Sequence, residues 1–192
     1  MKKYLIIFIG LLYANYLIAQ DLIGMEQMRE MNNNIQRSKQ IKDYLTHGHS
    51  KNYIYDGLFI EECRSKVLRN LQLSDYERDS LVFVEFCSMT SPGYTCSFYK
   101  SGDTDYQTLY INKGDFKEKY LEPNDSLTQF IIDKIKDGNL TIVLEKGKVS
   151  QSNNYVHIII AKRQGKDYKI ESYTTKYFIL DNKLVSKEGC NN

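Results

Sequence analysis

Between residues 140 and 180 the chain passes through four short apolar runs, 140–145, 155–162, 168–174 and 177–180. They are rich in Ile, Val, Tyr, Phe and Thr, whose branched or flat side chains suit a pleated, half-buried surface. Lys146-Gly147 and Gln164-Gly165 separate three of the runs, where a reversing chain needs a residue tolerant of positive φ. The pattern predicts an antiparallel meander, and the rest of the chain has to supply what packs against it.

Upstream, a second meander is predicted. Residues 81–89 and 94–100 flank Thr90-Ser91-Pro92-Gly93, a strong turn signal. Residues 106–112 follow, with Tyr106, Thr108 and Tyr110 alternating against Gln107, Leu109 and Ile111. Three helices are expected around these strands. In the first, over 21–45, Met25, Met28, Met31, Ile35, Ile41, Tyr44 and Leu45 recur at threes and fours, which reads as a face laid on the sheet. The second, over 58–73, carries Phe59, Cys63, Val67 and Leu71 on its buried side. Glu61, Glu62, Arg64, Lys66 and Arg69 are expected off that side, with Glu62 and Lys66 paired across one turn. The third spans 126–136, with Leu127, Phe130, Ile131 and Ile135 as its apolar face, Ser126 and Gln129 in a capping-box spacing and Gly138 as its end. The expected fold class is α+β: antiparallel meanders packed against a long N-terminal helix and two shorter ones.

Met1-Lys2-Lys3 and the apolar stretch after it, ending at Ala19, have the form of a secretory signal peptide over residues 1–19. Residues 20–192 then form one domain, secreted or periplasmic, with no membrane segment after cleavage. Lys and Arg number 26 against 24 Asp and Glu, and loss of Lys2 and Lys3 brings them level. Nucleic-acid binders need a surplus of positive charge, so that partner class is set aside.

Export makes disulfides possible for Cys63, Cys87, Cys96 and Cys190. A four-residue loop over 90–93 would place Cys87 directly opposite Cys96, within disulfide reach, leaving Cys63 for Cys190. No Cys spacing of zinc-site type occurs. His47 and His49 lie two apart in a polar stretch and are read as loop residues, so no metal is expected. No phosphate loop, GxSxG elbow or HExxH is present, and no cofactor is expected.

Two functional readings remain. The first is a small binding protein with a recognition rim on the loops 46–55 and 148–154. His49, Tyr53, Tyr55, Asn153 and Asn154 would be the contacts, since tyrosine and asparagine bind adaptably at low entropic cost. The partner would be a protein or glycan of the cell envelope. The alternative is a small enzyme with a cleft between the first helix and the sheet that uses His157. Asp79-Ser80-Leu81 and Asp125-Ser126-Leu127 are similar to the acceptor motif of a general bacterial O-glycosylation system; Ser126 also reads as a helix cap. The element order resembles the cystatin-like and nuclear-transport-factor-like groups, which set helices against one curved sheet. The Gln-x-Val-x-Gly loop of cystatins is absent, so protease inhibition does not carry over.

Export with cleavage after Ala19 is tested by the intact mass of the protein from its producing cell. A chain beginning at Gln20 is expected; soluble protein that retains Met1 would refute it.

Overall fold

The computed structural model describes residues 2–47, 57–88, 93–122, 126–138, 154–175, 177–180 and 183–186. Helix α1 (Lys2–His47) and α2 (Gly57–Arg69) come first, followed by a 3-10 turn at Leu73–Glu77. Strands β1 (Ser80–Ser88), β2 (Gly93–Lys100), β3 (Gln107–Asn112) and β4 (Glu118–Leu121) form a meander. Helix α3 (Ser126–Lys136) leads to β5 (Asn154–Gln164) and β6 (Asp167–Thr175), and β7 (Tyr177–Leu180) and β8 (Lys183–Ser186) end the order.

The two expected meanders are one sheet. Its order is β4-β3-β2-β1-β5-β6, so β5 returns beside β1, and every neighbouring pair is antiparallel. Strand parity divides the core in two. Leu81, Phe83, Cys96, Phe98, Leu109, Ile159 and Ala161 pack with Ile41 and Leu45 of α1 and Cys63 and Val67 of α2. Val82, Val84, Val156, Ile158 and Ile160 point the other way and pack with Leu127, Ile131 and Ile132 of α3. Helices therefore cover both faces. The central strands read as nearly continuous apolar runs for that reason.

Several expectations need correction. β4 was not anticipated; all four of its residues are exposed, so no apolar pattern marks it. β7 pairs with β8 in a separate two-stranded sheet and does not extend the meander. The expected strand at 140–145 lies outside the described residues. Lys66 pairs with Glu118 at 2.7 Å, and Glu62 lies 3.9 Å from Arg69, so the Glu62–Lys66 pair gives way to contacts with β4 and with a residue two turns on. The Gln129 amide donates to Asp133.

The largest correction concerns α1. Met25, Met28, Met31 and Ile35 are about half exposed, together with Leu22 and Ile23. Of the expected face Ile41, Leu45 and Tyr44 do pack in the core, and the sheet-facing side is Asn34, Arg37, Ile41 and Leu45, spaced by threes and fours. Half of that side is polar, which hid it from a hydrophobic pattern. Arg37 Nη2 donates to the Gly165 carbonyl at 2.7 Å and Nη1 to the Tyr76 carbonyl at 3.1 Å. Gln40 donates to Asp167 and accepts from the Tyr168 backbone N–H, each at 2.9 Å. The helix is thus clamped to the β5–β6 turn by hydrogen bonds as well as by Ile41 and Leu45.

This division is measurable by urea unfolding. Ile41→Ala should cost about 2–5 kcal/mol, as buried truncations do. Met28→Ala and Met31→Ala should each stay within about 0.5 kcal/mol of wild type. A large loss at either methionine would show that the stripe is packed.

Candidate functional site

On the α2 side of β1, inward parity gives Leu81, Phe83 and then Glu85, an acid in an apolar row. Directly opposite on β5 is His157, and opposite on β2 is Cys96. The Glu85 and His157 side chains are 1% and 2% exposed. A carboxylate at that depth is costly unless paired, and α2 brings the partner. Arg64 Nε donates to Glu85 Oε1 and Nη2 to Oε2, both at 2.7 Å. This is the bidentate geometry that guanidinium and carboxylate favour.

The rest of the shell completes the carboxylate. Tyr94 donates its hydroxyl to Oε1 at 2.5 Å. His157 Nδ1 lies 2.8 Å from Oε2 and 3.2 Å from Arg64 Nη2. Glu85 as a carboxylate only accepts, so Nδ1 carries the hydrogen and donates to it. Arg64 Nη1 donates to the Leu45 carbonyl near the end of α1 at 3.0 Å. Four elements thus meet at one carboxyl group. Burial by itself would raise the Glu85 pKa; the charge and hydrogen bonds of Arg64, joined by those of His157, outweigh it and hold the group far below the usual carboxylate range.

Arg64 escaped the sequence reading because the stripe was centred on Phe59, Cys63, Val67 and Leu71. Ile60 is buried as well, which shifts the inward arc of α2 so that Arg64, one turn on from Ile60, falls inside it. Glu85 itself was the available signal: a lone acid at inward parity in an apolar strand requires a buried cation.

The predicted disulfide sites resolve differently. Glu85, not Cys87, is opposite Cys96, and Phe86 is opposite Thr95. The register is thus shifted by two residues from the expected one, and Cys87 falls diagonal to Cys96 instead of across from it. Cys63 and Cys96 are buried thiols, so neither the Cys87–Cys96 nor the Cys63–Cys190 bridge is formed. Burial pushes the Cys63 thiol up to about 12, which makes it inert. Cys190 and the Cys87 side chain lie outside the described residues.

Of the proposed rim only the backbone place of Asn154 is described. His49, Tyr53, Tyr55 and Asn153 lie outside the described residues, and Asn154 is placed only as the first residue of β5. His157 faces the packed interior. Among the described residues no group of three or more His, Cys, Asp or Glu is placed to hold a metal. Asp103 lies 3.1 Å from Arg78 and 3.7 Å from Lys100.

Glu85→Gln keeps the shape of the side chain and removes its charge. It leaves Arg64 buried without a counter-ion and should cost about 3–5 kcal/mol, whereas Arg64→Met with Glu85→Leu should recover much of that loss. A depressed acid stabilises the fold above its unfolded pKa, and that contribution is lost as pH falls toward the folded value. Wild-type stability should therefore decline below about pH 4.5, the ordinary glutamate range, and Glu85→Gln should flatten the decline. An unchanged acid slope in the variant would contradict the assignment.

Comparison of the chain with protein-family models, with curated proteins and with solved structures finds no match to any of them, so the site is read from its own chemistry.

Proposed function

We propose that this is an exported binding protein that works through its surface and has no catalytic centre. The observation that carries the reading is the burial of His157 and Glu85. The alternative enzyme needs His157 at a cleft, and a base must reach the proton it abstracts. Here the imidazole donates to a carboxylate that is itself saturated by Arg64 and Tyr94. The cluster is consumed in holding α2 to the sheet.

The outward side of α1 supports a contact role. Leu22, Met25, Met28, Met31 and Ile35 are each about half exposed. Apolar side chains this exposed along one helix offer surface that a partner could cover. Methionine adapts its shape to a partner at little cost. Glu26 and Arg29, 3.6 Å apart, place both signs of charge on the exposed part of the helix. An anionic lipid surface would select a basic flank, so the partner is taken to be an envelope protein with an apolar contact segment.

A photo-crosslinking side chain at Met28, with one at Lys134 of α3 as control, tests this in the producing cell. One discrete adduct is expected from position 28, lost with Met25→Lys and Met31→Lys. No adduct at position 28, or equal capture at 134, would refute the contact surface. A turnover abolished by His157→Asn in folded protein would refute the non-enzymatic reading.

A further inference from the structure

We propose that the partner of α1 is a second copy of this chain, whose own α1 lies antiparallel along the exposed stripe. The inference rests on the contact reading of that stripe and names what covers it. From residue 19 to residue 33 no residue of α1 is buried, so this part of the helix stands clear of the domain body. A lone helix of that length is marginal in water, and a second helix laid along it would hold it.

The stripe has the spacing for such a pair. Asp21, Met25, Met28, Asn32, Ile35 and Lys39 follow at intervals of four, three, four, three and four, the seam of a two-stranded coiled coil. All six are exposed, and the seam lies on the side of α1 away from Asn34, Arg37, Ile41 and Leu45. Two copies joined there keep their sheets on opposite outer sides of the helix pair, so the domain bodies do not collide. The intervals read the same in both directions, so a reversed second helix meets the first layer by layer. Asp21 then faces the partner's Lys39, Met25 faces the partner's Ile35 and Met28 faces the partner's Asn32, each contact made twice about one two-fold axis.

Charge selects the direction. Parallel helices would let Asn32 meet its own counterpart, but they would also set Asp21, Lys39 and the exposed Lys42 each against a like charge. The antiparallel pair has an acid on a base at both ends and the apolar side chains between them. Glu26 and Glu30 run along the other side of the helix, where Glu30 meets Arg37 at 2.8 Å, so no acid enters the seam between its ends.

A photo-crosslinking side chain at Met25, irradiated in the producing cell, reads both the occupant and its direction. An adduct of twice the chain's mass is expected, with tryptic mapping joining position 25 to the peptide 30–37. Ten residues of helix, about 15 Å, separate 25 from 35 within one chain, so that link arises between copies. A two-chain adduct that joins position 25 to the peptide carrying position 25 itself would overturn the antiparallel pairing. A discrete adduct with a different protein would overturn the second copy while leaving the contact surface standing, and capture of lipid alone or of nothing would overturn both. Sedimentation velocity of the purified protein gives an independent reading, at low ionic strength because exposed charges are screened by salt. The wild type should form a dimer that Lys39→Glu weakens about threefold or more, and adding Asp21→Lys should restore it. A wild type that stays monomeric at every concentration, or a dimer that the charge reversal leaves unweakened, would overturn the proposal.

Discussion

A single carboxylate, Glu85, forces a decision on three other elements. It lies at inward parity on the strand at the centre of the sheet, where an unpaired charge is not tolerated. Sliding β1 by one residue would turn it beneath α3, toward Ile131 and Ile132, with its Arg64 pairing broken. The register of β1, the rotation of α2 and the position of His157 on β5 are thus tied to one pairing. Such a pair adds little net stability compared with apolar residues of the same volume. Its contribution is to make other arrangements of the same elements worse.

The second polar seam acts on α1 in a similar way. Arg37 is nearly as buried as Arg64, yet its contacts are mostly carbonyls and amides: Gly165, Tyr76 and Asn34, with Glu30 nearer the surface. Its Nε has no hydrogen-bond partner. This seam has no buried carboxylate to saturate the guanidinium. It holds the second half of α1 to the β5–β6 turn, and the turns before it carry their apolar residues outward.

The strands, the third helix and the burial of Cys63 were legible because each follows from a local period. β1, β2, β3, β5 and β6 fall where alternation and turn residues put them. α3 spans the predicted residues, since its apolar face, Leu127, Phe130, Ile131 and Ile135, repeats at helical spacing. Local patterning also gave α2, but centred its inward arc a fraction of a turn away from where it lies. That small rotation decides whether Arg64 is a surface charge or the partner of Glu85. The disulfide expectation failed for a related reason. Loop length alone left the hairpin register open by two residues, and the observed register puts Glu85 in the place expected of Cys87.

Sequence by itself determined the fold class and the places of the central strands and of α3, because side-chain period is a property of neighbouring residues. Only the tertiary structure decided which helix face turns inward, that β5 returns beside β1, and that Arg64, Glu85, Tyr94 and His157 converge. These four are separated by up to 93 residues along the chain, and no local period encodes a meeting at that range. The exposure of Met28 and Met31 was settled in the same way. A methionine stripe has the same pattern whether a sheet lies against it or not, and here Asn34 and Arg37 join Ile41 and Leu45 on the inward side while Met25, Met28, Met31 and Ile35 stay exposed.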